Sequence, residues 1–139
     1  MRSTYRYLAM AVGTLVIVQA AAIAWGVFGL VDDVDDGTLV GKDYAGNAGF
    51  AIHSAIGWMV LPLVALVLLI VGFLLREVDG ALKWAAIIFG LVILQDVLAV
   101  ISYGASIVGI LHGINALALL AVSFRATRAV PRITADAAG

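Results

Sequence analysis

The strongest constraint on this chain is a set of four long apolar runs, which cover about residues 8–30, 50–75, 81–103 and 105–124. Each run is long enough to cross the hydrocarbon core of a bilayer, which is roughly 30 Å thick. Backbone groups in lipid have no water to bond with, so such segments must form helices or closed barrels. We therefore predict an all-α membrane protein, with residues 1–139 forming a single bundle of four transmembrane helices.

The composition supports a lipid environment. Apolar residues make up 64% of the chain and charged residues 12%, whereas a soluble domain has about 25% charged residues. Four spans with short connections leave no room for a separate soluble domain. The chain has no cysteine, which excludes disulfides, thiolate nucleophiles and iron–sulfur clusters. The bilayer is thus the expected main partner, and no nucleic acid is expected.

The basic residues predict the orientation. If the spans alternate in direction, seven of the eight lysines and arginines fall on one side of the membrane: Arg2, Arg6, Arg76, Lys83, Arg125, Arg128 and Arg132. Only Lys42 falls opposite. Because basic loops stay inside, we expect a multi-pass protein of the cell membrane with both termini cytoplasmic and a basic cytoplasmic tail at 125–139. The first run also has features of a signal peptide, but we expect it to be a retained span.

The connection at 31–49 is predicted to be an acidic outer loop. It contains five aspartates and several glycines, which discourage regular structure. The simplest interpretation is a solvated loop. Calcium binding by the cluster from Asp32 to Asp36 is the alternative, although the spacing does not follow the EF-hand pattern.

The polar residues of the spans follow an order that occurs twice. Spans one and three each contain a glutamine, Gln19 and Gln95, and spans two and four each contain a histidine, His53 and His112. This order suggests a pseudo-twofold repeat that relates spans 1–2 to spans 3–4. Chance similarity is the alternative, because few other residues match.

Three ionisable residues, His53, Asp96 and His112, lie within the apolar runs. Such residues are costly in a membrane and are functional candidates by default. Spans two and four run in the same direction, and the depth of each histidine along its span is similar. We therefore expect the two imidazoles to meet near the outer end of the bundle.

Two neutral imidazoles on facing helices suit a b-type heme, which takes one axial ligand from each side. We predict His53 and His112 as the metal ligands. Small residues one turn away would leave space for the ring, and Trp58 would line the cavity. The small residues are Gly57, Gly109, Gly113 and Ala116.

Other uses of these residues stay open. Small residues also promote close helix packing, and histidines can serve as interfacial or hydrogen-bonded groups. A nonheme metal would need Asp96 as a third ligand. Asp96 is otherwise expected to be protonated, to accept a hydrogen bond from a ligand histidine, or to relay a proton. Gln19 and Gln95 are expected to form interhelical hydrogen bonds near the cofactor.

Four segments carry a resemblance to a known arrangement: Val18-Gln19, His53-Ser54-Ala55-Ile56-Gly57, Leu94-Gln95 and Leu111-His112-Gly113-Ile114-Asn115-Ala116-Leu117. They resemble a small bacterial four-span membrane family, which is similar to one half of heme A synthase and to four-helix transmembrane cytochromes b. The resemblance covers about residues 7 to 125 and implies that His53 and His112 are axial heme ligands. Heme A synthase has two such halves and, in many bacteria, an outer-loop cysteine pair with a nearby glutamate. This chain has one half and neither loop feature, which disfavours heme-modifying chemistry.

The sequence thus predicts a membrane protein that binds heme b and works in electron transfer or heme handling rather than as an enzyme. A quinol or a redox protein would be its partner, and a homo-oligomer is compatible with its size. One alternative is a non-catalytic accessory subunit of a membrane complex. The other is a small proton-coupled transporter that uses Asp96.

Overall fold

A computed structural model describes residues 1–131 and confirms the predicted class, because this part of the chain is helical and contains no strand. Four spans are long and apolar enough to cross a membrane. The α-helices are α1 (Arg2–Asp35), α2 (Ala48–Ala55), α3 (Leu61–Leu74), α4 (Ala81–Gly104) and α5 (Gly109–Ala129). A π-helical turn, Ile56–Val60, joins α2 and α3 into one span, and a 3-10 turn, Ser106–Val108, precedes α5.

The four spans form a closed ring in chain order. The first span packs against the second and the fourth, and α4 packs against α3 and α5. The span formed by α2 and α3 therefore lies diagonally opposite α5. We call the end with the connections 36–47 and 105–108 the acidic-loop end, and the other end, with residue 1 and the turn at 75–80, the terminal end.

The packed core lies in the half of the bundle near the terminal end. Each span contributes a fully buried alanine there: Ala9, Ala65, Ala85 and Ala126. Small side chains of this kind let helix backbones approach closely in a membrane. The Tyr5 hydroxyl donates to the Ala81 carbonyl at 2.9 Å, and Arg6 donates to the Val130 carbonyl at 3.0 Å. These bonds tie the first helix to α4 and to the end of α5.

The first helix is longer, and the loop after it is shorter, than the sequence predicted. α1 continues to Asp35, so residues 31–35 are helical and the connection is shorter than 31–49. Gly37, with φ of +89°, lets the Thr38 amide bond the Asp33 carbonyl at 2.9 Å, which is a Schellman-type helix end. At the far end of the loop the Tyr44 hydroxyl donates to Asp33, and this bond raises the pKa of Tyr44.

The fourth span, Ser106–Ala129, begins within one residue of its predicted start. Its first three residues form the 3-10 turn, and α5 follows from Gly109. At its other end α5 continues to Ala129, so residues 125–129 of the predicted tail are helical. Arg132 and the rest of that tail lie outside the described residues.

Pro62 explains the π-helical turn in the second span. Proline has no amide hydrogen, and its ring clashes with the carbonyl four residues earlier, here that of Trp58. The helix accommodates this by widening: the Leu61 amide bonds the Ile56 carbonyl, five residues back. π-Helical turns often occur at functional sites, and this one begins three residues after His53.

The first two spans meet at a glycine contact near the acidic-loop end. Asn47 caps α2 through the amides of Gly49 and Phe50, and its side chain also donates to the Gly26 carbonyl at 2.8 Å. A Cβ atom on Gly49 would lie 2.6 Å from the Gly26 Cα. The two helices can therefore approach this closely only with glycine at position 49.

We expect Gly49→Ala to lower the free energy of unfolding by about 3 kcal/mol, because the added methyl meets backbone rather than a movable side chain. Thermal unfolding in detergent measures this. Gly90→Ala in α4 is the matched control, since a Cβ there has nothing within 4 Å. Equal stability of the two variants would contradict the contact.

Candidate functional site

A cavity of about 840 Å³ occupies the half of the bundle near the acidic-loop end. Its walls come from all four spans and consist mostly of apolar side chains. All ten residues predicted for the site line it: Gln19, His53, Gly57, Trp58, Gln95, Asp96, Gly109, His112, Gly113 and Ala116. The cavity volume lies within the range of sites that bind small molecules or cofactors.

Each histidine is oriented by a hydrogen bond to the neighbouring helix. His53 lies in the second turn of α2, and its Nδ1 is 3.1 Å from the Gln19 carbonyl oxygen on α1. His112 lies in the first turn of α5, and its Nδ1 is 3.1 Å from the Gln95 carbonyl oxygen on α4. A carbonyl oxygen only accepts, so Nδ1 carries the proton in both rings.

These bonds define the chemistry that each ring offers. With Nδ1 protonated, a neutral imidazole has its lone pair on Nε2. The Nε2 atoms form no hydrogen bond with any residue of the range 1–131. Hydrogen bonding of one ring nitrogen to a carbonyl is the usual support of a histidine whose other nitrogen binds a metal.

The two imidazole rings lie close to each other. Their centroids lie 6.5 Å apart, and the ring planes are inclined by 60°. An imidazole nitrogen lies about 2 Å from a coordinated transition metal, which places the centroids of two opposed ligands roughly 6 Å apart. The two imidazoles therefore meet, as predicted, at a centroid spacing close to that of two opposed metal ligands.

Three of the predicted small residues differ in what surrounds them. A Cβ on Gly57 would lie 2.8 Å from Gln19 Nε2, and one on Gly109 would lie 3.9 Å from Ser102 Oγ. A Cβ on Gly113 would meet nothing within 4 Å. Gly57 therefore makes room for a side chain of the protein, whereas Gly113 borders open space in the cavity wall.

The side chains of Gln19 and Gln95 differ in their hydrogen bonds. The Gln95 carboxamide donates to the His112 carbonyl at 3.1 Å and accepts a hydrogen bond from Asn115. Asn115 also donates to the Leu91 carbonyl at 2.9 Å, so α4 and α5 are linked by a small network. The expected interhelical bond is thus confirmed for Gln95. In Gln19 the side-chain oxygen is buried and has no hydrogen-bond partner among the described residues.

Asp96 lines the cavity and is half-buried. Of the three roles left open for Asp96, accepting a hydrogen bond from a histidine Nδ1 is not found, because backbone carbonyls of Gln19 and Gln95 occupy both Nδ1 atoms. Within residues 1–131 no three side chains of histidine, cysteine, aspartate or glutamate cluster as a metal site. A nonheme centre completed by Asp96, and calcium in the acidic loop, therefore lack support from this part of the chain.

Polar residues that the sequence did not single out also border the cavity. Ser54 and Tyr103 lie on its wall, as does Ser102. The Ser102 hydroxyl donates to the Leu98 carbonyl at 2.7 Å, so it is already satisfied within its own helix. Nothing in their spacing distinguishes these residues from ordinary serines and interfacial tyrosines near a span end.

Comparison of the chain with family models, with curated proteins and with solved structures finds no match.

We expect Gln95→Leu and Asn115→Leu each to destabilise the protein, because each removes two side-chain hydrogen bonds. A double-mutant cycle should give a coupling energy of about 1 kcal/mol, typical of interhelical hydrogen bonds. Thermal unfolding in detergent supplies the four stabilities. The pair Gln19→Leu and Asn115→Leu shares no hydrogen bond and should be additive. A coupling energy near zero for Gln95 and Asn115 would show that their bond contributes nothing.

Proposed function

We propose that this protein is a membrane b-type heme-binding protein, with His53 and His112 as the two axial ligands, and that it works in electron transfer or heme handling. The proposal rests on the residues that line the cavity and on the resemblance of their pattern to four-helix transmembrane cytochromes b. The observation that carries it is the ring spacing of 6.5 Å between two histidines that are both protonated on Nδ1.

The protein supplies orientation, basicity and an apolar surrounding. The Gln19 and Gln95 carbonyls hold each ring in one rotation and raise the basicity of Nε2. Apolar side chains from four helices form most of the wall, so a bound group lies mainly against apolar surface. Gly113 leaves a gap beside His112 in which a flat ring has room.

A heme supplies one-electron chemistry when bound. His53 and His112 would hold such a group from two helices, and the chemistry it would supply is electron transfer rather than catalysis. The site lies near one end of the bundle, so a group held there would exchange electrons with a quinol in the same leaflet or with a partner outside the membrane.

The orientation is part of the same proposal. The terminal end bears Arg2, Arg6, Arg76, Lys83, Arg125 and Arg128, whereas Lys42 is the one basic residue of the described connection at the acidic-loop end. By the positive-inside rule the terminal end is cytoplasmic, and the cavity lies in the outer leaflet of the cell membrane.

Purified protein is expected to bind hemin and to show the Soret band of a six-coordinate low-spin heme. His53→Ala and His112→Ala should each remove that spectrum, because one axial ligand is lost. His112→Met should keep two ligands and raise the reduction potential, as methionine does in cytochromes. Spectroscopy and redox titration measure these changes. Wild-type protein that leaves the hemin spectrum unchanged would refute heme binding.

A second test fills the cavity and leaves His53 and His112 unchanged. Gly113→Leu adds a side chain where a Cβ meets nothing, so the fold should persist while hemin binding falls at least about tenfold. Gly90→Leu is the matched control, because position 90 is equally open but does not line the cavity. Equal hemin affinity of the two variants would place the ligand elsewhere.

The orientation is tested with single cysteines, since the natural chain has none. Lys42→Cys at the acidic-loop end and Arg76→Cys at the terminal end are both at exposed positions. In intact cells a membrane-impermeant maleimide should label only the Lys42→Cys protein, and lysis should expose the other. Labelling of Arg76→Cys alone in intact cells would reverse the orientation.

A further inference from the structure

The second span changes its packing partners at the π-helical turn. On the terminal side of this turn, α3 packs against both α1 and α4. On the other side, α2 and the turn itself pack against α1, and neither forms a comparable contact with α4. The glycine contact at Gly49 keeps α2 close to α1, and a widened turn beside a proline is a usual place for a helix to change direction. A space therefore separates residues 48–60 from the last part of α4, and we call it the lateral gap.

The face of α4 that borders the lateral gap is the one that packs against α3 nearer the terminal end. Ala85 marks this face, because a Cβ on Gly72 of α3 would lie 2.7 Å from the Ala85 Cβ. Asp96 and Tyr103 follow Ala85 by about three and five helical turns, so they lie on the same face. Tyr103 is 85% exposed, and Trp58 on the second span is 47% exposed. A face that is packed in one half of the bundle is thus open in the other half.

The lateral gap leads into the cavity and contains an unsatisfied carboxyl group. Trp58, Asp96 and Tyr103 all line the cavity, so the gap is an opening in its side. Asp96 forms no hydrogen bond or ion pair with any residue of the range 1–131. It is half-buried, and its oxygens are not among the enclosed, unbonded polar atoms of that range. The Asp96 oxygens therefore keep accessible surface and are free to accept a hydrogen bond from a bound molecule.

We propose that the lateral gap binds a hydroquinone dissolved in the membrane, whose hydroxyl donates a hydrogen bond to Asp96 and whose apolar tail extends into the lipid. This inference names the electron donor of the proposed function and rests on it. A molecule that enters from the lipid is largely apolar, and one that satisfies a carboxyl group in an apolar wall carries a hydrogen-bond donor. Beside an electron carrier it is also redox-active. A hydroquinone meets all three requirements.

The contact with Asp96 is tested with a decyl hydroquinone and its dimethyl ether, which has no O–H group. Wild-type protein in lipid nanodiscs, without hemin, should bind the hydroquinone about tenfold more tightly than the ether, because one hydrogen bond is added. Asp96→Leu should bind both probes with the weaker affinity. Asp96→Asn retains a carbonyl acceptor and should keep most of the preference. A wild type without this preference, or an Asp96→Leu protein that retains it, overturns the proposal.

The route through the lateral gap is tested by narrowing it. Ala99→Trp adds a large side chain between Asp96 and Tyr103 on the cavity wall. Ala86→Trp is the matched control, because Ala86 is exposed on the same helix but does not line the cavity.

The readout is the reduction of hemin-loaded protein in nanodiscs, in which one hydroquinone reduces two ferric hemins and releases two protons as it becomes the quinone. This reduction should be at least about tenfold slower in Ala99→Trp than in Ala86→Trp. Dithionite, which acts from the water, should reduce both variants at equal rates. Equal rates with the decyl hydroquinone would overturn the lateral route.

Failure of the proposed function gives a different result from failure of this inference. Hemin binding by the wild type without any hydroquinone binding that depends on Asp96 refutes only the site in the lateral gap, and it favours a redox partner outside the membrane. Absence of hemin binding refutes the proposed function. The affinities for the hydroquinone and its ether, which are measured without hemin, still decide whether Asp96 binds the hydroxyl.

Discussion

The site depends on one interaction that occurs twice, the hydrogen bond from an imidazole Nδ1 to a glutamine main-chain carbonyl on the adjacent helix. An unbonded ring nitrogen in an apolar interior is costly, and a helical carbonyl retains a second lone pair after its bond within the helix. Each bond therefore satisfies one nitrogen without breaking the neighbouring helix. Because both bonds use Nδ1, they also fix the tautomer and the rotation of the rings. The 6.5 Å spacing of the rings follows from where α1 and α4 place these two carbonyls.

The bundle is divided into a closed half and an open half, and the division keeps the cavity in shape. Near the terminal end, buried alanines bring all four backbones together, and small residues at helix contacts are how membrane proteins gain dispersion energy. Near the acidic-loop end the spans carry the two histidines and Asp96 and line the cavity. There the glycine contact between α1 and α2, closed by Asn47, anchors the helix that carries His53. The π-helical turn beside Pro62 separates the two halves of that span.

The amino-acid sequence predicted the parts of this structure that follow from the lengths of the apolar runs and from the positions of polar residues within them. The lengths of the runs predicted the four spans, and the two histidines with their small neighbours predicted residues that line the cavity. The acceptors of His53 and His112 could not be predicted, because every residue has a carbonyl and only the packing of two helices selects one. The 3-10 turn that opens the fourth span was not predicted, because residues 106–108 give no strong turn signal. The twofold repeat remains a prediction, although the histidine bonds of the two halves are alike.

The two halves differ at the residue three positions after each histidine, and this difference explains why the side chains of Gln19 and Gln95 have different surroundings. Asn115 is buried, bonds the Leu91 carbonyl and donates to Gln95, so the Gln95 carboxamide becomes part of the contact between α4 and α5. Ile56 offers no polar atom, and the helix widens into its π-helical turn at that residue. The second span therefore has no hydrogen-bond partner for the Gln19 side chain at Ile56, the same residue at which its α-helix becomes π-helical. A fully symmetric bundle would bond both carboxamides internally and present the same surface on both sides of the cavity. This bundle bonds only one of them, so the two sides of its cavity are chemically different.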